Sequence, residues 1–508
     1  MPESAAASYD ALPYEGHPDP VIHPDRMAAV AWLHNIPAPP LEHARILEIG
    51  CATGTHLLPM AYQFPEATFL GFDCSPRQIA MARQTAELCG LTNLRFEVRD
   101  ILDDSSALGE FDYILAHGVF SWVPPKVQQA LLTLCDRHLA PQGVALVDYN
   151  VTPGWHLRAF LRDLVRFHQQ ENSNAAMATT NALGSLDFIA SHLFENGTPF
   201  AQSVANLHHW AASKPKNYLV HELGDGHAEA LSFSDFADRA QQHHLSILGD
   251  ADITHVVPAA LAAPVGKRIH EIAGDDYVRQ EQYLDFLRGR DFRRSLLIRE
   301  RSNLSRQLTM DALDLLHFTT MARLQNSPQG PMFVCPDGAR LLTTNPGTFQ
   351  ALAALCNAGA SGLDFKSLLK AANNAPGAQA TIEQFGNSLL EIVAGNVVQM
   401  HAHRPRVANS VTHTPLASSI ARTMAATGGA TVTSMLQRDW HLDEFERQLL
   451  PLLDGTRTLS QIVEKLTPLG QGNPTPAVPP SPIVPPEHLE SRIHSSLQWF
   501  ARAGLLIA

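Results

Sequence analysis

Four short stretches carry residues whose types and spacing suit the binding of an adenosine-type ligand. Glu48-Ile-Gly50-Cys51-Ala52-Thr-Gly54 follows directly on the apolar run Arg45–Ile49. Glycines at a strand-to-helix turn let the backbone approach a ligand with no side chain in the way. About twenty residues on, Asp73 closes a second apolar run and is followed by Cys74 and Ser75. A carboxylate there can accept from two ribose hydroxyls. Asp100 closes a third run, placed to accept from an adenine amino group while Ile101 packs on the ring. His117-Gly118 follows a fourth.

These stretches need elements that bring them to one edge. ARILEIG, ATFLGFD, LRFEVRD, FDYILAH and GVALVDY read as strands, and THLLPMAYQF, PRQIAMARQTAELCG and VQQALLTLCDRHL as the helices between them. Such alternation predicts a parallel sheet with helices on both faces. Ligands of such sheets bind at the carboxyl ends of the strands, where all four stretches fall. Residues 157–236 read as a polar, mainly helical insertion. HLSILGDADI and FRRSLLIRE (292–300) then return as the last two strands.

A dinucleotide site would need glycines at spacing one-three-six. Counting from Gly50, Ala52 and Thr55 stand at the third and sixth places. The acid before the turn and the extra Asp100 fit S-adenosylmethionine (SAM) instead. In this order the elements resemble a class I SAM-dependent methyltransferase. HPDRM (23–27), EIGCATGTHLLPMA, HGVFSWVP (117–124) and YNVTPGWH (149–156) further resemble bacterial methyltransferases that carry a methyltransferase regulatory domain. Rickettsial protein-lysine methyltransferases acting on outer membrane protein B belong to that group. Tyr218-Leu-Val-His221-Glu222, Ser232–Phe236 and Leu248–Ala251 look like the regulatory segment, and LLPLLDGTR (449–457) also fits. In this sequence Thr55, His56 and Asp148 depart from the family's pattern.

The resemblance implies SAM as cofactor, held by Glu48, Gly50, Cys51, Ala52, Gly54, Asp73, Cys74, Ser75, Asp100, Ile101, His117 and Gly118. It also implies a protein acceptor, with lysine N-methylation expected. Transfer from a sulfonium is an in-line displacement, so catalysis rests on positioning and desolvation. A lysine must be neutral when it attacks, and burial among aromatic walls lowers its pKa. Tyr14, Trp122, Tyr149 and Trp155, with Asn150 and His156, are the candidates around the methyl group. Aromatic faces also attract a sulfonium or methylated ammonium. Trp122 and Trp155 read equally as core anchors, His117 as a cofactor-side contact or backbone cap rather than a general base, and Asp148 as a substrate-orienting or solvated carboxylate.

The C-terminal third holds a suspected repeat. FQALAALCNA, FKSLLKAA and TIEQFGNSLLEIV precede Gly395 and VVQM; EFERQLLPLL, LSQIVEKL and HLESRIHSSLQWFARA precede Gly504 and LLIA. The third helices predict apolar faces through Ile382, Phe385, Leu389 and Val393, and through Leu489, Ile493, Leu497 and Phe500. Three helices and a strand suggest winged-helix-like units. Arg492 and Arg502 stand isolated in one third helix and the other has no basic residue, which argues against DNA binding. Docking of a protein partner or second protomer is the expectation. Seven prolines between 474 and 486 predict an extended loop.

Composition sets the outer limits. The 508 residues carry a net charge of -13, the wrong sign for a general nucleic-acid binder. The first 300 hold 22 Lys and Arg against 36 Asp and Glu, a weak attraction for a cationic substrate. No stretch is long and apolar enough to insert in a membrane. Six cysteines without a CxxC pair, and His208–His209, His243–His244 and His401/His403 without companions at metal spacing, predict no metal. Reduced thiols predict a cytoplasmic protein. The basic run Arg288, Arg290, Arg293 and Arg294 reads as a solvated helix end pairing with nearby acids.

The expected fold is therefore α/β, a Rossmann-like class I methyltransferase with a helical insertion, followed by a mainly α C-terminal part of two winged-helix-like units. The expected divisions are an N-terminal cofactor or substrate cover (1–40), the methyltransferase domain (41–300), a middle unit (301–405) and a last unit (406–508). A small-molecule O- or N-methyltransferase and a SAM-binding scaffold without turnover are the alternatives.

Overall fold

In the computed structural model the described residues are 16–170, 174–193, 197–224, 227–257, 263–301, 304–377, 379–467 and 486–507. Tyr14 and most of the proline-rich stretch 474–486 lie outside them.

Arg45–Ile49 forms β1, with Ile46, Leu47 and Ile49 all buried, as a strand covered on both faces requires. Parallel to it run β2 (Thr68–Asp73) and β4 (Phe111–Ala116), with β3 (Leu94–Val98) and β5 (Leu139–Val151) outside them. Beyond β5 lie β8 (Phe292–Arg299) and then β7 (Leu245–Asp250), while the two-residue β6 (Ala230–Leu231) pairs with the end of β5. The order is β3-β2-β1-β4-β5-β8-β7. The expected last two strands do join the sheet. β8 runs antiparallel to both neighbours, so the sheet is mixed.

Local chemistry starts the helices where the site needs them. The side chain of His23 accepts from Asp25 N–H and Pro24 opens α1 (Pro24–Leu33). α2 (Leu57–Gln63) begins just after the glycine turn. Ser75 caps α3 (Pro76–Leu88), which also starts on a proline. One sheet face packs Ile49, Phe72, Ile114 and Val147 against α4 (Pro125–His138) and α9 (Phe233–Gln242). The other face carries Ile46, Phe69, Leu115 and Leu146, and its apolar layer continues unbroken into Phe318, Phe365, Leu389 and Met400 of the middle unit. The middle unit thus shares a core with the catalytic sheet.

Four helices fill most of 157–236: α5 (Trp155–Gln169), α6 (Ala175–Leu193), α7 (Pro199–Ala212) and α8 (Lys216–Gly224). They bury a core of their own, built on Leu161, Val165, Leu186, Val204 and Leu219. α10 (Ala263–Ala273) and α11 (Tyr277–Arg288) connect β7 to β8.

The repeat in the C-terminal third is a repeat of topology. In the first copy β9 (His317–Thr319) precedes a three-stranded sheet of β10 (Arg323–Ser327), β11 (Gly330–Val334) and β12 (Arg340–Leu342). Then follow α12 (Pro346–Ala358), β13 (Leu363–Asp364), α13 (Phe365–Asn373), α14 (Ile382–Ala394) and β14 (Gln399–His401), with β9 pairing between β13 and β14. In the second copy α15 (Ser419–Ala426) and the β15 (Thr431–Thr433)–β16 (Asp439–His441) hairpin precede α16 (Glu444–Leu449), α17 (Leu459–Leu466) and α18 (Pro486–Arg502). Leu416 and Ala417 take the place of β9, bridging Asp454 and Leu506. Phe385, Leu389 and Val393, and all four apolar residues named in the last helix, are buried. Ile382 is 46% exposed, because it is the first residue of α14 and lies beyond the packed turn. Among the described residues no helix is long and apolar enough to cross a membrane.

Candidate functional site

The turn after β1 is held in shape by backbone that only small residues tolerate. Gly50, Ala52 and Gly54 have φ of 71°, 48° and 75°. A Cβ on Gly54 would lie 2.4 Å from the Phe96 ring, and one on Gly50 would lie 2.5 Å from a Val119 methyl. Gly50 and Cys51 donate backbone N–H bonds to Phe72 O at 2.8 and 3.1 Å. Asp73 accepts from Ala52 N at 3.0 Å and from Ser75 N at 2.9 Å. Burial nevertheless pushes its carboxyl above the usual range. Cys74, bonded to Asp73, has its thiol pushed up to about 12 by burial and by the Asp73 and Asp100 charges. The exposed Asp100 accepts from Leu102 N at 2.9 Å, and Ile101 packs against the sheet's core. Cofactor-side candidates from three strand ends are thereby brought to one edge.

From the fourth and fifth strands come His117, Gly118 and Asp148. The buried Asp148 binds His117 through Nδ1 and accepts from Gly118 N at 2.8 Å. Burial disfavours the charged imidazole, but the Asp148 carboxylate outweighs it and holds the His117 pKa above its ordinary value. Asp148 is therefore not a solvated strand end. The His117 ring meets His56 edge-on at 5.2 Å between centroids. His56 bonds Glu48 Oε1 at 2.8 Å and the carbonyl of His17 at 3.1 Å. The N-terminal segment straps over this cluster. Asp19 pairs with Arg294 of β8 at 2.7 Å, and His17 pairs with Asp439 of the last unit at 2.9 Å. Gln437 donates to His56 O at 3.3 Å and Gln63 to Met435 O, so the last unit docks on the turn after β1 and the end of α2.

The aromatic candidates separate. Tyr149 is fully buried with its ring stacked on Phe236 at 3.9 Å and its hydroxyl 3.1 Å from Ser295 Oγ. It stands behind the site and offers no open face. Trp122 and Trp155 meet edge-on at 6.1 Å. Arg158 lies 5.3 Å over Trp155 and 4.5 Å over Trp210, and bonds Asp291 at 2.6 Å and Glu222 at 3.3 Å. Sequence reasoning missed this arginine, and Glu222 entered only as part of the regulatory segment, because their partners come from α5, α7, α8 and the residue before β8. Asn150 N accepts no part in this; it donates to Ser121 Oγ at 2.8 Å.

The residues present fit a SAM-type cofactor. Among the described residues, Glu48 Oε2 and Asn150 Nδ2 are buried and find no partner, an acceptor and a donor at the strand ends. A Cβ on Gly118 would meet only open space. Asp73 and Asp100 would hold ribose and adenine, and the glycine turn would take the amino-acid end.

Comparison with known proteins gives the same division of the chain. A family described as "Methyltransferase domain" matches residues 46–143. "Predicted methyltransferase regulatory domain" matches 215–299, and "PKMT, C-terminal winged helix domain" matches 413–505. One uncharacterized protein of Rickettsia prowazekii is 33% identical over 60% of this chain, the match spanning 54% of that protein, about half its length. Another from the same organism is 31% identical over 47% of this chain and 96% of its own length. The chain belongs to one family with this second protein, and it joins a methyltransferase domain to a regulatory domain and a PKMT winged helix domain. PKMT2 from Rickettsia typhi has a structure that superposes with a TM-score of 0.85 at 25% identity, covering 97% of this chain and 100% of that one. A second structure of PKMT2, in complex with AdoHcy, superposes equally well. The regulatory match supplies β6, β7 and β8, so it completes the sheet that begins at β1 rather than standing apart from it.

Proposed function

We propose that this protein transfers a methyl group from SAM to the ε-amine of lysine in a protein acceptor, in the cytoplasm. The observation that carries the reading is the seat of the PKMT-type winged helix. Its matching model is described as a PKMT unit, and through Gln437 and Asp439 the winged helix reaches the turn at His56 and the strap at His17. An acceptor entering this edge would meet surfaces from the catalytic, N-terminal and last units together.

When bound, SAM supplies the electrophilic methyl. This chain's residues do the rest. The turn from Glu48 to Gly54, with Cys51 and Ala52, and the loops at Asp73–Ser75, Asp100–Ile101 and Gly118 would orient the cofactor. Trp122, Trp155 and Asn150 would line the acceptor side and exclude water, lowering the amine's pKa by desolvation. Tyr149 supports the strand from behind. The acidic first 300 residues favour a cationic acceptor. With no basic third helix, the winged units are assigned to protein contacts rather than nucleic acid.

The test is transfer from methyl-labelled SAM into a host-cell extract separated into macromolecular and small-molecule fractions. Protease-sensitive label that hydrolyses to methyl-lysine is expected. Label confined to small molecules overturns the reading. SAM binding with no label in any fraction overturns it in favour of a scaffold.

A further inference from the structure

We propose that His117 is the base that takes the proton from the acceptor ammonium, and that Asp148 positions and charges it for this role. The proposal rests on the lysine reading above.

His117 is the first residue after β4, and Asp148 lies near the end of β5, at the edge where the cofactor cradle forms. The carboxylate is 1% exposed and spent on two neighbours, His117 Nδ1 and Gly118 N. A carboxylate on Nδ1 fixes the tautomer that leaves a lone pair on Nε2. The His117 side chain keeps 26% of its surface exposed, and among the described residues no hydrogen bond reaches its Nε2. Its neighbour His56 cannot serve, since Glu48 and the His17 carbonyl occupy both its nitrogens. The charged groups facing His117 are Asp148 from β5, Asp19 from the N-terminal strap and Arg294 from β8; the acids favour its protonated form and the arginine opposes it. This arrangement suits a base that works near neutral pH.

The step balances. The ammonium passes one proton to Nε2 of His117, whose positive charge Asp148 offsets. The amine's freed lone pair forms the nitrogen–carbon bond as the carbon–sulfur bond breaks, its electron pair staying on sulfur. His117 then releases the proton to water.

The experiment compares wild-type full-length protein with Asp148→Asn and His117→Gln. Calorimetry gives SAM affinity, and NMR of histidine-labelled protein follows the His117 signal, identified by its loss in His117→Gln. Single-turnover transfer into host-cell protein, counted as methyl-lysine, is followed across roughly pH 5.5–9. SAM affinity should stay within about threefold in both variants. Asp148→Asn should lower the His117 pKa by roughly one unit and move the acid limb of the rate profile down with it. His117→Gln should lose the limb and at least about a hundredfold in rate. A limb that stays in place while the His117 signal moves overturns the proposal. So does a collapse of SAM affinity in His117→Gln, which would make that residue a cofactor ligand. Protein label without methyl-lysine, with the limb still shifting, overturns the lysine acceptor and keeps the base.

Discussion

The carboxylate of Asp73, at the end of β2, accepts the backbone N–H of Ala52 at 3.0 Å in the turn after β1. In the proposed cradle, one group therefore shapes the glycine turn and would accept from the ribose. Asp73→Ala removes both functions. The expected result is a loss of about 1.5–3 kcal/mol in SAM affinity, roughly ten- to a hundredfold by calorimetry. Unchanged affinity would mean that the ligand does not reach this strand end.

Gly54→Ala tests the turn from the other side. Its φ of 75° and the Phe96 ring 2.4 Å from an added Cβ leave the new methyl no room. A left-handed conformation costs a non-glycine residue about 1–2 kcal/mol before any clash. Calorimetry should show SAM affinity down by at least about tenfold, with circular dichroism still reporting a folded protein.

In the proposed reading Trp155 stands on the acceptor side and not in the cradle. It is 5% exposed, with Trp122 at its edge and the Arg158 guanidinium over its face. Trp155→Ala should leave SAM affinity within about threefold and cut transfer by at least about tenfold. Loss of SAM binding in equal measure would make Trp155 an anchor of the cradle itself.

Asp25 joins the N-terminal segment to the middle unit. It binds His401 Nδ1 at 2.8 Å and His403 Nδ1 at 2.6 Å, and accepts from the N–H groups of Ala402 and His403. Burial opposes its charge, yet the histidines hold its carboxyl well below the usual range. Its contribution to stability is thus full above about pH 4 and fades as pH falls through the folded value. Burial presses His23 down to about 3. From about pH 6.5 downward the unfolded chain takes that proton and the native state does not, so stability declines across this window. Thermal unfolding should show a falling midpoint from pH 7 to pH 5. Asp25→Asn should cost about 3–5 kcal/mol, because it leaves buried partners unmatched.

Much of the cradle was legible in order along the chain. Strand, small-residue turn and acid recur at set distances, because a strand's length and its crossover fix where the next carboxyl end appears. Glu48, Asp73 and His117 could be placed at one edge on that ground, and the period of apolar residues marked the faces of the last helices except at Ile382.

What charge meets what charge was decided by tertiary structure alone. Arg290 and Arg293 read in the sequence as a solvated helix end pairing with nearby acids, and acids do pair with them. The structure instead buries them at 8% and 1% exposure, Arg293 on Asp285 and Glu281, Arg290 on Asp250. Tyr149 passed for a site residue until the alternation of β5 turned it to the face covered by Phe236. His56, Asp148 and Arg158 find their partners on other strands and helices, at separations no local pattern encodes. The sequence by itself determined the sheet, the cofactor edge and the repeated unit, since backbone geometry and apolar period are local properties. The folding of distant segments into a low-dielectric layer decided which polar groups pair, because a buried charge persists only where another segment supplies its partner.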